Sequence, residues 1–351
     1  MRFWVVVVVG LLSSPEAVAF RSPMTMMSHA VIVQNKGGGH GEIGYQLAKK
    51  LVGCVDKVTL LQDEKASKTA LPFSRYESDL VGVDVVWCSL SDAEVASKLS
   101  DATHCFDNYS KDPSDSAVFA SACAANPSFQ MYTYISSAGM YTTKGILKET
   151  QAVKEESGQR KVEVSLSEAL PGRWCAFRPQ YIYGPFTNKR DYLDWFLARA
   201  ARDAVMAVPG DAQQPVSVTH SEDVAALLAS VIGKEDQAKN EVFNCGTDKL
   251  CTYNEVCAAA ARGLKKEHAL VATLDPLTKS SFPFRPNAEG FAVRVAKAKD
   301  LLGWPGAQHN VLDDLCGFYR DDFLKLGLDQ GDLDTSKDML DQAATLDYVP
   351  V

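Results

Sequence analysis

The stretch Asn35 to Lys50, NKGGGHGEIGYQLAKK, constrains this chain more than any other. Gly38, Gly41 and Gly44 form G-x-x-G-x-x-G, preceded by the apolar run HAVIVQ and followed by a helix-like pattern. A strand that turns through glycines straight into a helix lets the backbone approach a pyrophosphate, and the amides at the helix N-terminus face the anion. Asp63 lies just after the next apolar run, nineteen residues beyond Gly44. An acid there either accepts from a ribose 2′-OH, favouring NAD over NADP, or is a solvated turn acid. Glu42 stands in the loop itself, where a negative charge opposes a phosphate unless it turns to solvent. His40 reads as a loop polar residue.

Further apolar runs follow at 57–61, 83–88, 102–107, 130–136 and 174–179, with helix-like segments such as SDAEVASKLS and SAVFASACAAN between them. Such alternation predicts an α/β fold, a doubly wound parallel sheet with helices on both faces. After Pro179 the rhythm changes: DYLDWFLARAARDA is an amphipathic helix, and residues 205–233 read as strand, turn, strand and helix, with Ser221 as N-cap. The expected organisation is a nucleotide-binding-like domain over 28–180 and a smaller C-terminal lobe over 181–326 that partly returns to the sheet. An acidic tail follows over 327–351, solvated or loosely docked.

Residues 1–27 are set apart as a leader. FWVVVVVGLL is an apolar run of signal-peptide length, too short for a comfortable membrane span, so no membrane association is expected. Ala17 and Ala19 suit cleavage, and FRSPMTMMS then lacks acids. Cleavage before Phe20 resembles the two-part plastid leaders of algae with secondary plastids; the alternative is secretion. Nine cysteines form no C-x-x-C pair and several sit in apolar runs, as in VVWCSL and VFNCG, so they read as small core residues and not as a disulfide framework. That favours a reducing organelle. A net charge of −8 removes a chain-wide basic footprint for nucleic acid and leaves room only for a local patch.

Three segments resemble the extended short-chain dehydrogenase/reductases: YISSAGMY (134–141), FRPQYIYGP (177–185) and VPGDAQQPVSVTHSEDVA (208–225). The resemblance implies a Rossmann-type sheet. That superfamily uses a Tyr and a Lys four residues apart for proton and hydride transfer. Here only Tyr45 has Lys at that spacing, Lys49, and it lies in the helix after the glycines. At the expected place Lys161 stands for the Lys and Ser157 for the Tyr. Ser136 or Ser137 keeps the serine position, and Tyr141 is the substitute proton donor to consider. Redox activity is therefore not expected.

A narrower resemblance, to the chloroplast stem-loop-binding proteins, rests on the loop GGHGEIG (38–44) together with FDNYSKD (106–112), ISSAGMY, FRPQYIYG, NKRDYLDWFLAR (188–199), VFNCGTDK (242–249) and AKDLLGW (298–304). It implies a plastid protein that binds structured RNA, with metal-dependent endoribonuclease activity using a divalent metal such as Mg2+ and roles in transcript or rRNA processing. It also implies association with ribosomal or transcription complexes, and homo-oligomers or hetero-oligomers with a paralogue. NAD(P) binding through Gly38, Gly41, Gly44 and Asp63 is then residual or lost. The alternatives are an NAD(P)-dependent nucleotide-sugar epimerase or dehydratase, and a non-catalytic assembly factor.

RNA binding needs cations for phosphates and exposed aromatics for bases. NKRDYLDWFLARAARDA offers Lys189, Arg190, Arg199 and Arg202, with Tyr192, Trp195 and Phe196 either exposed for bases or packed in the core. Arg160, Lys161 and Arg285, the last near Phe282 and Phe284, rank second. For cleavage, Asp107 with Asn108 and Asp112 at a strand end, Ser137, Tyr141 and Lys161 are the candidates; His220 reads as a structural residue at a helix entry. No carboxylate pair has metal-ligand spacing.

Overall fold

A computed structural model describes residues 27–34, 40–90, 94–187 and 190–350. The leader up to residue 26, Gly38 of the glycine loop and Lys189 lie outside the described residues.

The apolar runs form a seven-stranded parallel sheet. Its strands are β1 (His29–Gln34), β2 (Lys57–Asp63), β3 (Val83–Cys88), β4 (His104–Asn108), β5 (Met131–Ile135), β6 (Trp174–Pro179) and β7 (Glu241–Cys245), in the order β7-β6-β5-β4-β1-β2-β3. β1 is buried along its length because β2 and β4 flank it and helices cover both faces. The order reverses between β1 and β4, and the crevice beyond their C-terminal ends is where such sheets place ligands. Six of the nine cysteines are buried and all are free thiols, as core packing predicts.

Helix α1 (Gly41–Leu51) leaves β1 through His40, which adopts the left-handed conformation at φ 55°. At Gly44 a Cβ would overlap the Gln34 side-chain amide, so helix and strand pack at a distance only glycine allows. Helix α2 (Pro113–Ala125) follows β4 and is capped by Asp112; α3 (Gly158–Ala169) follows β5 and is capped by Ser157.

The C-terminal lobe packs around α4 (Asp191–Ala201) and the helix Tyr253–Gly263, over the buried rings of Phe196, Phe282 and Phe284. β7 returns from the lobe to the main sheet beside β6. The helix Ser221–Ala229 is capped by His220, whose ring accepts from the Glu222 amide; Ser221, the expected cap, is its first residue. The acidic tail is docked, contrary to the expectation of a loose one. Thr345–Pro350 pairs antiparallel with His268–Leu274, and Asp338 is buried against Arg199. Among the described residues no helix is long and apolar enough to cross a membrane.

Candidate functional site

The crevice between β1 and β4 is bridged by amides. The Asn108 side chain, at the end of β4, donates to Gln34 Oε1 at 2.7 Å, and Gln34 Nε2 donates to the Gly41 carbonyl at 2.6 Å. Tyr76 donates its hydroxyl to Gln62 and lies 3.3 Å from Gln34 Nε2. Gly41 is covered by the segment after β2: a Cβ there would lie 2.7 Å from the Phe73 ring and 3.1 Å from Pro72. Glu42 does not turn to solvent. It is fully buried, with Oε1 paired to the His40 ring at 3.0 Å and accepting from Thr187 at 3.2 Å. Asp63 is buried at the end of β2, not a solvated turn acid, and accepts from the Lys65 amide.

Beside this crevice a cleft of about 480 Å³ opens between the ends of β4 and β5 and the lobe. Asn108, Lys111, Ser137, Tyr192 and Arg285 are among the residues lining it. Arg285 donates to the carbonyls of Tyr141 at 3.0 Å and Gly139 at 2.6 Å, and its guanidinium lies 4.1 Å from the centre of the Phe291 ring. Neither the Arg285 guanidinium nor the Lys111 ammonium group has a carboxylate partner among the described residues. Arg285 is thus a cation fixed by neutral groups, and its charge remains available to an anion. Lys111 is exposed; its backbone amide donates to Asp115 Oδ2 at 3.0 Å, just beyond the turn in which Asp107 Oδ1 accepts from the amides of Tyr109 and Ser110.

The remaining candidates are placed differently from expectation. Asp107 is completely buried and accepts from Tyr132 at 2.6 Å; burial raises its pKa, opposed by these hydrogen bonds, and it shapes the strand end without facing the cleft. Tyr141 is buried, donates to Asn244 at 2.7 Å and accepts from Arg178 at 3.1 Å, and burial raises its pKa. It is a structural tyrosine and no proton donor to the cleft. Lys161 is exposed and paired with Glu156, Ser157 caps α3, and Tyr45 donates to Asp79. None rebuilds the missing Tyr–Lys pair. Ser137 reaches the cleft, with its hydroxyl accepting from the Gly139 amide.

The helix expected to carry RNA contacts is largely satisfied from within. Arg199 is buried in a bidentate pair with Asp338 at 2.6 and 3.0 Å. Arg202 donates to carbonyls of the tail, at Gly331, Leu328 and Gln330. Arg190 is paired with Asp194 at 2.9 Å and lies over the Tyr319 ring. Trp195 and Phe196 are core, while Tyr192 stays partly exposed in the cleft. Arg160 pairs with Glu155 and Glu163. Lys111 lies within FDNYSKD but was not singled out from the sequence, although its place just after a β-strand end was a usable signal.

For a metal, the described residues offer one close group of His, Cys, Asp or Glu: His220, Glu222 and His309. The two imidazoles stack face to face, 3.7 Å apart and 14° from parallel. Imidazole coordinates in its ring plane, so stacked rings do not converge on one ion without rotating.

No protein-family model matches the chain. Over 208 residues it is 32% identical to the chloroplast stem-loop binding protein of 41 kDa b of Arabidopsis thaliana, a match covering 57% of this chain and 54% of that protein. The chain thus spans about half the length of the curated relative it matches. Among solved structures it resembles the UDP-glucuronic acid 4-epimerase of Bacillus cereus in complex with UDP-glucuronic acid and NAD, at TM-score 0.64 and 14% identity over 85% of this chain and 99% of that one. It also resembles the dTDP-glucose 4,6-dehydratase of Bacillus anthracis in complex with NAD, at TM-score 0.62 and 13% identity over 85% and 98%. The fold is that of the extended short-chain dehydrogenase/reductases, and the similarity to a stem-loop-binding protein agrees with the motifs.

Proposed function

We propose that this chain is a plastid protein that binds structured, stem-loop RNA, and that the cleft beside β4 and β5 receives an unpaired nucleotide of the loop. The observation that carries the reading is Arg285, a cation held in the cleft by two carbonyls and lacking a carboxylate partner among the described residues. Lys111 adds a second free cation, and Tyr192 a partly exposed ring for a base. The named relative binds chloroplast stem-loops, which supports both the ligand class and the compartment. A cleft of about 480 Å³ suits a single nucleotide and not a duplex.

The proposal covers binding and not cleavage. Asp107 and Tyr141 are committed to buried hydrogen bonds, Lys161 to a surface pair and Asp112 to a helix cap, so of the cleavage candidates Asn108 and Ser137 reach the cleft. Oligomers and ribosomal or transcription-complex association extend from the resemblance and are read by sizing the protein with and without RNA.

The test is fluorescence anisotropy of a labelled plastid hairpin RNA titrated with the protein, beside an unstructured strand of equal length. Salt-sensitive binding that prefers the hairpin supports the reading. Equal weak binding of both, or none, contradicts it.

A further inference from the structure

We infer that the dinucleotide crevice of this fold is filled by the chain's own side chains and takes neither NAD nor NADP. A dinucleotide needs three things there: a bare middle glycine, free amides at the α1 N-terminus, and an open crevice at the strand-order reversal. Each is occupied. The Phe73 ring and Pro72 lie where a Cβ on Gly41 would point, so the face this glycine leaves bare is covered by protein. The Glu42 carboxylate is buried in the first turn of α1, held by His40 and Thr187, and places an internal anion at the end of the helix that would receive the pyrophosphate. The Gln34–Asn108 hydrogen bond spans the crevice itself and is extended to Gly41 and Tyr76.

The plug is a packed unit. Phe73 meets Tyr76 and Trp87 edge-on, and Tyr76 stacks parallel to Tyr45 of α1. Opening it means moving a buried aromatic cluster and leaving the Gln34 and Gln62 amides short of partners. Gly44 keeps its packing role against Gln34, so the glycine motif persists as scaffold after its ligand role is gone. This inference does not rest on the RNA reading.

The test is isothermal titration of the protein with NAD and with NADP, up to about 1 mM ligand. No saturable binding is expected, and saturable one-to-one binding in that range overturns the inference. A double variant, Glu42→Ala with Phe73→Ala, is titrated alongside, with circular dichroism to verify its fold. A gain of at least about tenfold in NAD affinity is expected. A folded double variant that ignores NAD as the wild type does overturns the assignment of the block to these two side chains. Hairpin binding, measured on the same samples, reports separately on the RNA reading.

Discussion

Arg178 and Glu163 form a bidentate ion pair, 2.7 and 3.0 Å, with both side chains buried beneath the cleft floor. Ser136 donates to the same carboxylate at 2.8 Å, so β5, β6 and α3 are tied at one point. Removing one partner strands the other charge. Glu163→Ala is expected to cost about 3–5 kcal/mol, read as a lowered urea midpoint. A shift below about 1 kcal/mol contradicts the pair's structural role.

Gly44 tests the packing of α1 on β1. Gly44→Ala forces a methyl against a Gln34 amide held by Gly41 and Asn108. Thermal unfolding should show a loss of about 1–3 kcal/mol. Unchanged stability means that the helix and strand have room to part.

The His220 imidazole is pushed down to about 3, first by burial and then by the neighbouring His309. Between that value and the ordinary 6.5, the unfolded chain holds a proton that the native one does not, so acid favours unfolding. The contribution is complete above about pH 6.5 and is lost as pH falls towards 3, amounting to about 2 kcal/mol between pH 7 and pH 5. His220→Asn keeps an acceptor for the Glu222 amide and removes the titration. Denaturation at both pH values should show a pH dependence flatter by that amount; an unchanged slope assigns it elsewhere.

The strands were legible because a strand buried on both faces needs a continuous apolar run, and the expected runs coincide closely with β1 to β6. The glycine motif likewise announced the β1–α1 turn. Its loss of ligand space was not legible, because Phe73 reaches Gly41 from a different segment of the chain. The basic helix misled for a related reason. Arg199 looks like a surface cation until Asp338, 139 residues later, comes to lie beside it. Arg285 ranked second because its value depends on having no acidic neighbour, a property of the fold and not of the local sequence.

The cleft reading is tested most directly by hairpin anisotropy with Arg285→Glu combined with Lys111→Glu, across a salt series. The account predicts at least about tenfold weaker binding and a log K against log salt slope shallower by about 1.5, as two lost phosphate contacts require. Circular dichroism should match wild type, since neither residue carries an ion pair within the described structure. Affinity and slope unchanged in a folded double variant would contradict the cleft as the RNA site.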